Sequence, residues 1–139
     1  MLILNIISIL LVIVILIVII SVLLNINRRL DEKIQLEKSR IEFYEREIKN
    51  IKKTPASEDS VKSLNDIAKE FFREKFNINS NKTYLELETM FKKEGKDKEE
   101  RFCSLMNAMM YADRTVSSRE MNEATGLFAD IVEDYNNFK

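Results

Sequence analysis

The opening stretch, MLILNIISILLVIVILIVIISVLL, decides what the remainder of the chain can be. Residues 1–24 hold no charge, proline or glycine, and only Asn5, Ser8 and Ser21 interrupt the apolar run. A bilayer's hydrocarbon core is crossed by a helix of about 20 such residues. Each Ile, Leu or Val at mid-bilayer favours insertion by about 0.3 to 0.6 kcal/mol, so about twenty of them sum to roughly 6 to 12 kcal/mol, which three small polar side chains cannot reverse. A soluble alternative would have to bury this helix on every side, and the chain left over is too short to do so and keep a core of its own. The sequence therefore predicts a single transmembrane helix over 1–24.

A cleaved signal would show a basic start, an apolar run of about 7 to 15 residues and a small-residue cleavage site. Here nothing basic precedes the run, the run is longer, and Ser21-Val22-Leu23 is a poor cleavage site, so the span is expected to be retained. Arg28, Arg29 and Lys33 follow it closely. Basic residues beside a span stay on the cytosolic side, and acidic ones such as Asp31 and Glu32 weigh little. The expectation is a single-pass protein of the cell membrane, N-terminus outside and C-terminal domain cytoplasmic, with the lipid bilayer as its first partner. Asn81-Lys82-Thr83 matches a glycosylation acceptor, which that placement would keep silent.

Past residue 24 the chain is densely charged, and its 22 basic against 23 acidic residues give no electrostatic argument for nucleic acid. The one cysteine, Cys103, has no partner within the chain, which fits a reducing compartment; it reads as a small buried hydrophobe rather than a nucleophile. Histidine is absent, which removes the usual general base and the usual zinc ligand together.

Residues 25–53 contain no Gly or Pro and read as a helical stalk. Heptad a positions fall at Asn27, Ile34, Ile41 and Ile48, and d positions at Leu30, Glu37, Tyr44 and Ile51. Ile at a favours a parallel pair, so the expected seam of a homodimer is Asn27, Leu30, Ile34, Ile41, Tyr44, Ile48 and Ile51. Between paired stalks Arg40–Glu45 and Glu47–Lys52 would attract and Lys33–Lys38 would repel. The same spacing serves a single amphipathic helix lying along its own domain or the headgroups, and Leu36 and Phe43 widen the apolar stripe beyond a strict seam.

Thr54-Pro55-Ala56-Ser57 stops the stalk, because Pro55 disfavours the helical conformation at Thr54. Residues 54–57 form the expected linker and 58–139 a cytosolic domain. Its first helix is capped by Ser57 or Ser60 and buries Val61, Leu64, Ile67, Ala68, Phe71 and Phe72. It ends in Asn77-Ile78-Asn79-Ser80-Asn81, with Ile78 turned inward. Thr83 to Glu86 makes a capping box for the second helix, whose face is Tyr84, Leu87, Met90 and Phe91 and whose stop is Gly95. Asp97-Lys98-Glu99-Glu100 repeats a start signal for the third, with Phe102, Leu105, Met106, Met109 and Met110 inward. Ser117 and Glu120 box the fourth, stapled by Val116 and Met121, and it buries Met121, Ala124, Phe128, Ile131, Val132 and Tyr135. Gly126 inside that helix points to a close helix contact. No stretch alternates with period two, so the expected fold is all-α: a transmembrane helix, a helical stalk and a small four-helix bundle.

No Gly-rich phosphate loop exists, and Asp113 to Ala124 lacks both the glycine and the terminal Glu of a calcium loop. Glu86, Glu99 and Glu100 read as solvated surface rather than metal ligands. No catalytic residue and no cofactor is expected. Flexible thioethers suit a groove for a partner helix as well as an irregular core, so Met106, Met109, Met110 and Met121, with Tyr111 at the following bend, are the candidate partner surface.

The paired aromatics of the domain's first helix, its Asn-rich turn, Thr83-Tyr84-Leu85-Glu86-Leu87, Tyr111-Ala112-Asp113 and Ser118-Arg119-Glu120 resemble, over residues 60–135, the helical DUF4129-type domain. That family is of unknown biochemical role, commonly follows a membrane span on the cytosolic side and is often appended to transglutaminase-like proteins. Asp113 stands where the family usually has glycine, and no transglutaminase-like part is present. The resemblance implies a juxtamembrane docking domain and carries over no catalytic residue. The expected function is a membrane-anchored protein-interaction module; the alternative is a structural subunit of a larger membrane assembly that packs through Asn5, Ser8 and Ser21.

Overall fold

The computed structural model describes residues 1–79 and 81–138, so Ser80 of the expected turn and Lys139 of the expected domain lie outside the described residues. Among these residues all regular structure is helical: α1 (Leu2–Lys53), α2 (Glu58–Phe76), α3 (Tyr84–Lys93), α4 (Asp97–Met110) and α5 (Ser118–Asn137). The chain forms two compact units, Met1–Arg40 and Ile41–Lys139.

The first unit is helix alone, and every side chain from 1 to 36 is exposed. Helix α1, to which it belongs, is the one helix among the described residues that is long and apolar enough to cross a membrane. Past the apolar run, Arg28 and Glu32 pair at 3.3 Å one turn apart, a contact that adds only a few tenths of a kcal/mol in water, roughly 0.3 to 0.5.

The second unit corrects the expected boundaries. Ile41, Tyr44, Ile48 and Ile51 are buried in the same core as the residues of α2 to α5. The last turns of α1 are thus the first helix of the domain, which begins at Ile41 rather than at residue 58, and five helical pieces rather than four enclose its core. The physical reason is aromatic. Phe71 of α2 sits at the centre, with the rings of Tyr44 at 5.2 Å, Phe128 at 5.5 Å and Tyr135 at 5.8 Å, all edge-on. Phe72 turns the other way, meeting Phe91 at 5.4 Å and Phe102 at 6.0 Å, and Phe102 stacks on Phe128 at 5.4 Å. Offset and edge-on pairs of this kind add about 0.5 to 1.5 kcal/mol each beyond burial.

The helix ends follow local chemistry. Ser57 caps α2, and Ser60 is its reciprocal partner at the third position: the Ser57 N–H donates to Ser60 Oγ at 2.8 Å and the Ser60 N–H to Ser57 Oγ at 3.2 Å. Asn77 closes α2 in the left-handed region at φ 53°, and Ile78 is buried behind it. Thr83 with Glu86, and Ser117 with Glu120, form the two expected boxes. Gly95, at φ +68°, follows α3; its N–H reaches Lys92 O at 3.2 Å and that of Lys96 reaches Phe91 O at 3.0 Å, the paired bonds of a Schellman stop.

Two expectations fail here. Asp97 does not cap α4, since Lys96 occupies the cap position and no side chain bonds there; Asp97, Glu99 and Glu100 instead place negative charge in the first turn, which favours the helix electrostatically. Gly126 marks no close contact, because a Cβ added there would meet nothing within 4 Å.

Candidate functional site

The seven positions of the expected seam divide at the unit boundary. Asn27, Leu30 and Ile34 are exposed, whereas Ile41, Tyr44, Ile48 and Ile51 are committed to the core of their own chain. Those four are therefore withdrawn from a stalk-mediated pair, because a side chain packed in its own core has no surface left for a second copy. The attractive Arg40–Glu45 and Glu47–Lys52 pairs lose their setting with them.

The methionine surface divides as well. Met106, Met109 and Met121 are buried, while Met110 is 40% and Tyr111 69% exposed. Met109 and Met110 are neighbours on α4 and so face about 100° apart, one toward the core and one away. Of the five, Met109 and Met110 line one cleft, to which the others do not contribute.

What the fold does build is a cleft of about 830 Å³ between the start of α2 and the segment joining α4 to α5. Met109, Met110, Ala112 and Val116 supply its apolar part, and Glu58, Asp59, Lys62, Asp113 and Arg114 its charges. Tyr111 is exposed but is not among the lining residues. Asn65 also lines the cleft, and its Oδ1 is buried without a hydrogen-bond partner among the described residues.

One wall is held by Glu120. Its carboxylate accepts both guanidinium branches of Arg114, one of them at 3.0 Å, and also the N–H and Oγ of Ser117 at 3.1 and 3.0 Å. The Arg114 bonds first, and the Ser117 bonds after them, hold Glu120 down at about 2 from an ordinary 4.5. The joining segment is thereby pinned to the first turn of α5. Sequence reasoning found Ser117 and Glu120 but not Arg114, whose position six residues ahead of Glu120 lies outside the helical spacings.

A second polar cluster lies around Tyr84. Its ring is buried, its hydroxyl has no hydrogen-bond partner among the described residues, and Lys69 Nζ sits 4.9 Å from the ring centroid while donating to Lys82 O. Burial pushes the Tyr84 hydroxyl far up and the Lys69 amine down. Cys103 is wholly buried, and burial pushes its thiol up, so it stays protonated and unreactive at neutral pH. Among the described residues no three Cys, Asp or Glu side chains converge as metal ligands would; Glu86 is spent on the Thr83 cap.

Taken as chemistry, the cleft offers recognition: apolar contact, charges of both signs and one unsatisfied acceptor. No known family model, curated protein or solved structure matches this chain.

Proposed function

We propose that residues 1–24 anchor this protein in a cell membrane by a single span, and that the helical unit from Ile41 onward is a cytosolic module that docks a protein partner. The anchoring rests on one observation: a helical run of Ile, Leu and Val with every side chain exposed, in a chain whose other large apolar side chains are mostly buried. In water that surface would aggregate, and in a bilayer it is at rest. The orientation rests on Arg28, Arg29 and Lys33 immediately after the run. Docking rests on the cleft, where Met110 and Val116 leave apolar surface beside charges of both signs.

Two measurements test this. Alkaline carbonate should leave the full-length chain in the membrane pellet, and protease added outside intact cells should spare the C-terminal unit. Release into the wash contradicts the anchor, and digestion reverses the orientation. For docking, full-length chain isolated from its own membranes should carry one further protein in constant ratio, lost on Met110→Asp; retention by that variant places docking elsewhere.

A further inference from the structure

The apolar seam that ends at the domain boundary does not begin in the stalk. We infer that α1 pairs with a second copy of itself in parallel, through one heptad seam that starts inside the bilayer and runs without interruption to Ile34. This rests on the anchoring proposed above.

Carried back into the span, the a positions are Ile6, Ile13 and Ile20, so that with Ile34 every a residue up to that point is Ile except Asn27. The d positions are Leu2, Leu16, Leu23 and Leu30, with Ile9 the one exception. In a run made wholly of apolar residues any register lands on apolar side chains; the segregation of β-branched residues to a and Leu to d is the informative part, and it is the pattern that favours two parallel strands. The register is also the one that stays apolar where water begins. Past Leu24 the positions one residue over are Arg28 and Asp31, whereas Asn27, Leu30 and Ile34 keep the seam. The Arg28–Glu32 pair lies at b and f, off the seam.

What covers the aqueous end decides the occupant. Leu30 and Ile34 are each 54% exposed, and at 1.5 Å per residue they stand about 9 and 15 Å beyond Leu24, past the reach of acyl chains. A second copy fits because the bilayer fixes every copy at one depth and one direction, which sets each seam residue opposite its own counterpart. Asn27 is then matched to an identical amide that both donates and accepts. Within the span, where no hydrophobic force distinguishes helix from lipid, interlocking Ile and Leu supply packing alone. Confinement to a plane raises the encounter frequency without any new contact. The seam stops at Ile34, because Glu37 occupies the next d position and Lys33 would face Lys38 of the second copy; beyond that, Ile41 belongs to the domain core.

The test is cysteine crosslinking of the full-length chain in membranes, with Cys103, wholly buried, supplying the blank. Asn27→Cys, Leu30→Cys and Ile34→Cys should form disulfide-linked dimers several-fold more readily than Glu32→Cys and Gln35→Cys on the outer side. Crosslinking that is even across the five positions, or absent from all, in a chain that resists carbonate extraction overturns the seam while leaving the anchor standing. Release of the chain by carbonate overturns both.

Discussion

Helix α1 holds two stretches of similar apolar pattern and opposite fate. Leu30 and Ile34 repeat at heptad spacing and stand exposed; Ile41, Tyr44, Ile48 and Ile51 repeat at the same spacing and are buried. Nothing in the spacing separates them, since an apolar stripe three and four residues apart serves a coiled coil and a core-facing helix alike. The difference is what lies opposite. Tyr44 finds the ring of Phe71, whereas Leu30 and Ile34 stand exposed. A helix therefore acquires its role from its partners, and one helix can hold several roles along its length.

The sharpest way to break the comparison is to remove the buried stretch. A polypeptide of residues 57–139 lacks Ile41, Tyr44, Ile48 and Ile51 and exposes Phe71, so it should show no cooperative melt by circular dichroism; a transition like that of the full chain would return those turns to the stalk. Next in size is a matched pair of substitutions. Tyr44→Ala should cost about 3 kcal/mol by leaving a cavity beside Phe71, whereas Leu36→Ala, exposed and off the heptad seam, should stay within about 0.5 kcal/mol as a surface change. Denaturant titration of the full chain in detergent reads both, and equal costs would erase the distinction between the two stretches.

Inside the domain, burial also acts on polar atoms. Tyr84→Phe removes a buried hydroxyl that has no partner among the described residues, so it should raise stability by about 1 kcal/mol instead of lowering it. Gly126→Ala should do the same by roughly 0.5 to 1 kcal/mol, since the helix gains propensity and the added methyl meets nothing. A falling midpoint in either variant would reveal a contact that this packing lacks.

The smallest expected effect is acid dependence at the cleft. Glu120 is held near 2 when folded, below its ordinary 4.5. Between those values the unfolded chain binds more protons than the folded one, so the stabilisation is complete above about pH 4.5 and drains away as pH falls toward 2. Glu120→Gln should remove that share of the slope in thermal melts between pH 5 and pH 2, roughly the window set by the two values. An unchanged slope would mean that Arg114 and Ser117 do not restrain the carboxylate in solution.

Much of this architecture was legible where the cause is local. The Thr83 and Ser117 boxes, the Gly95 stop and the inward turn of Ile78 each follow from a few adjacent residues, and the apolar span follows from composition alone. The domain boundary was not legible, because Pro55 breaks the helix while the core reaches past it to Ile41. Nor was the split of the methionines, since Met109 and Met110 face apart and the depth of packing on each side depends on α2 and α5. Arg114 escaped because its bond to Glu120 spans a non-helical turn.

The measurement closest to the central claim is made on residues 41–139 in plain buffer, without detergent. If α1 divides its length between lipid and core, this polypeptide is soluble and unfolds in a single cooperative transition. Insolubility, or a featureless melt, would contradict that division and place the first forty residues within the domain's own fold.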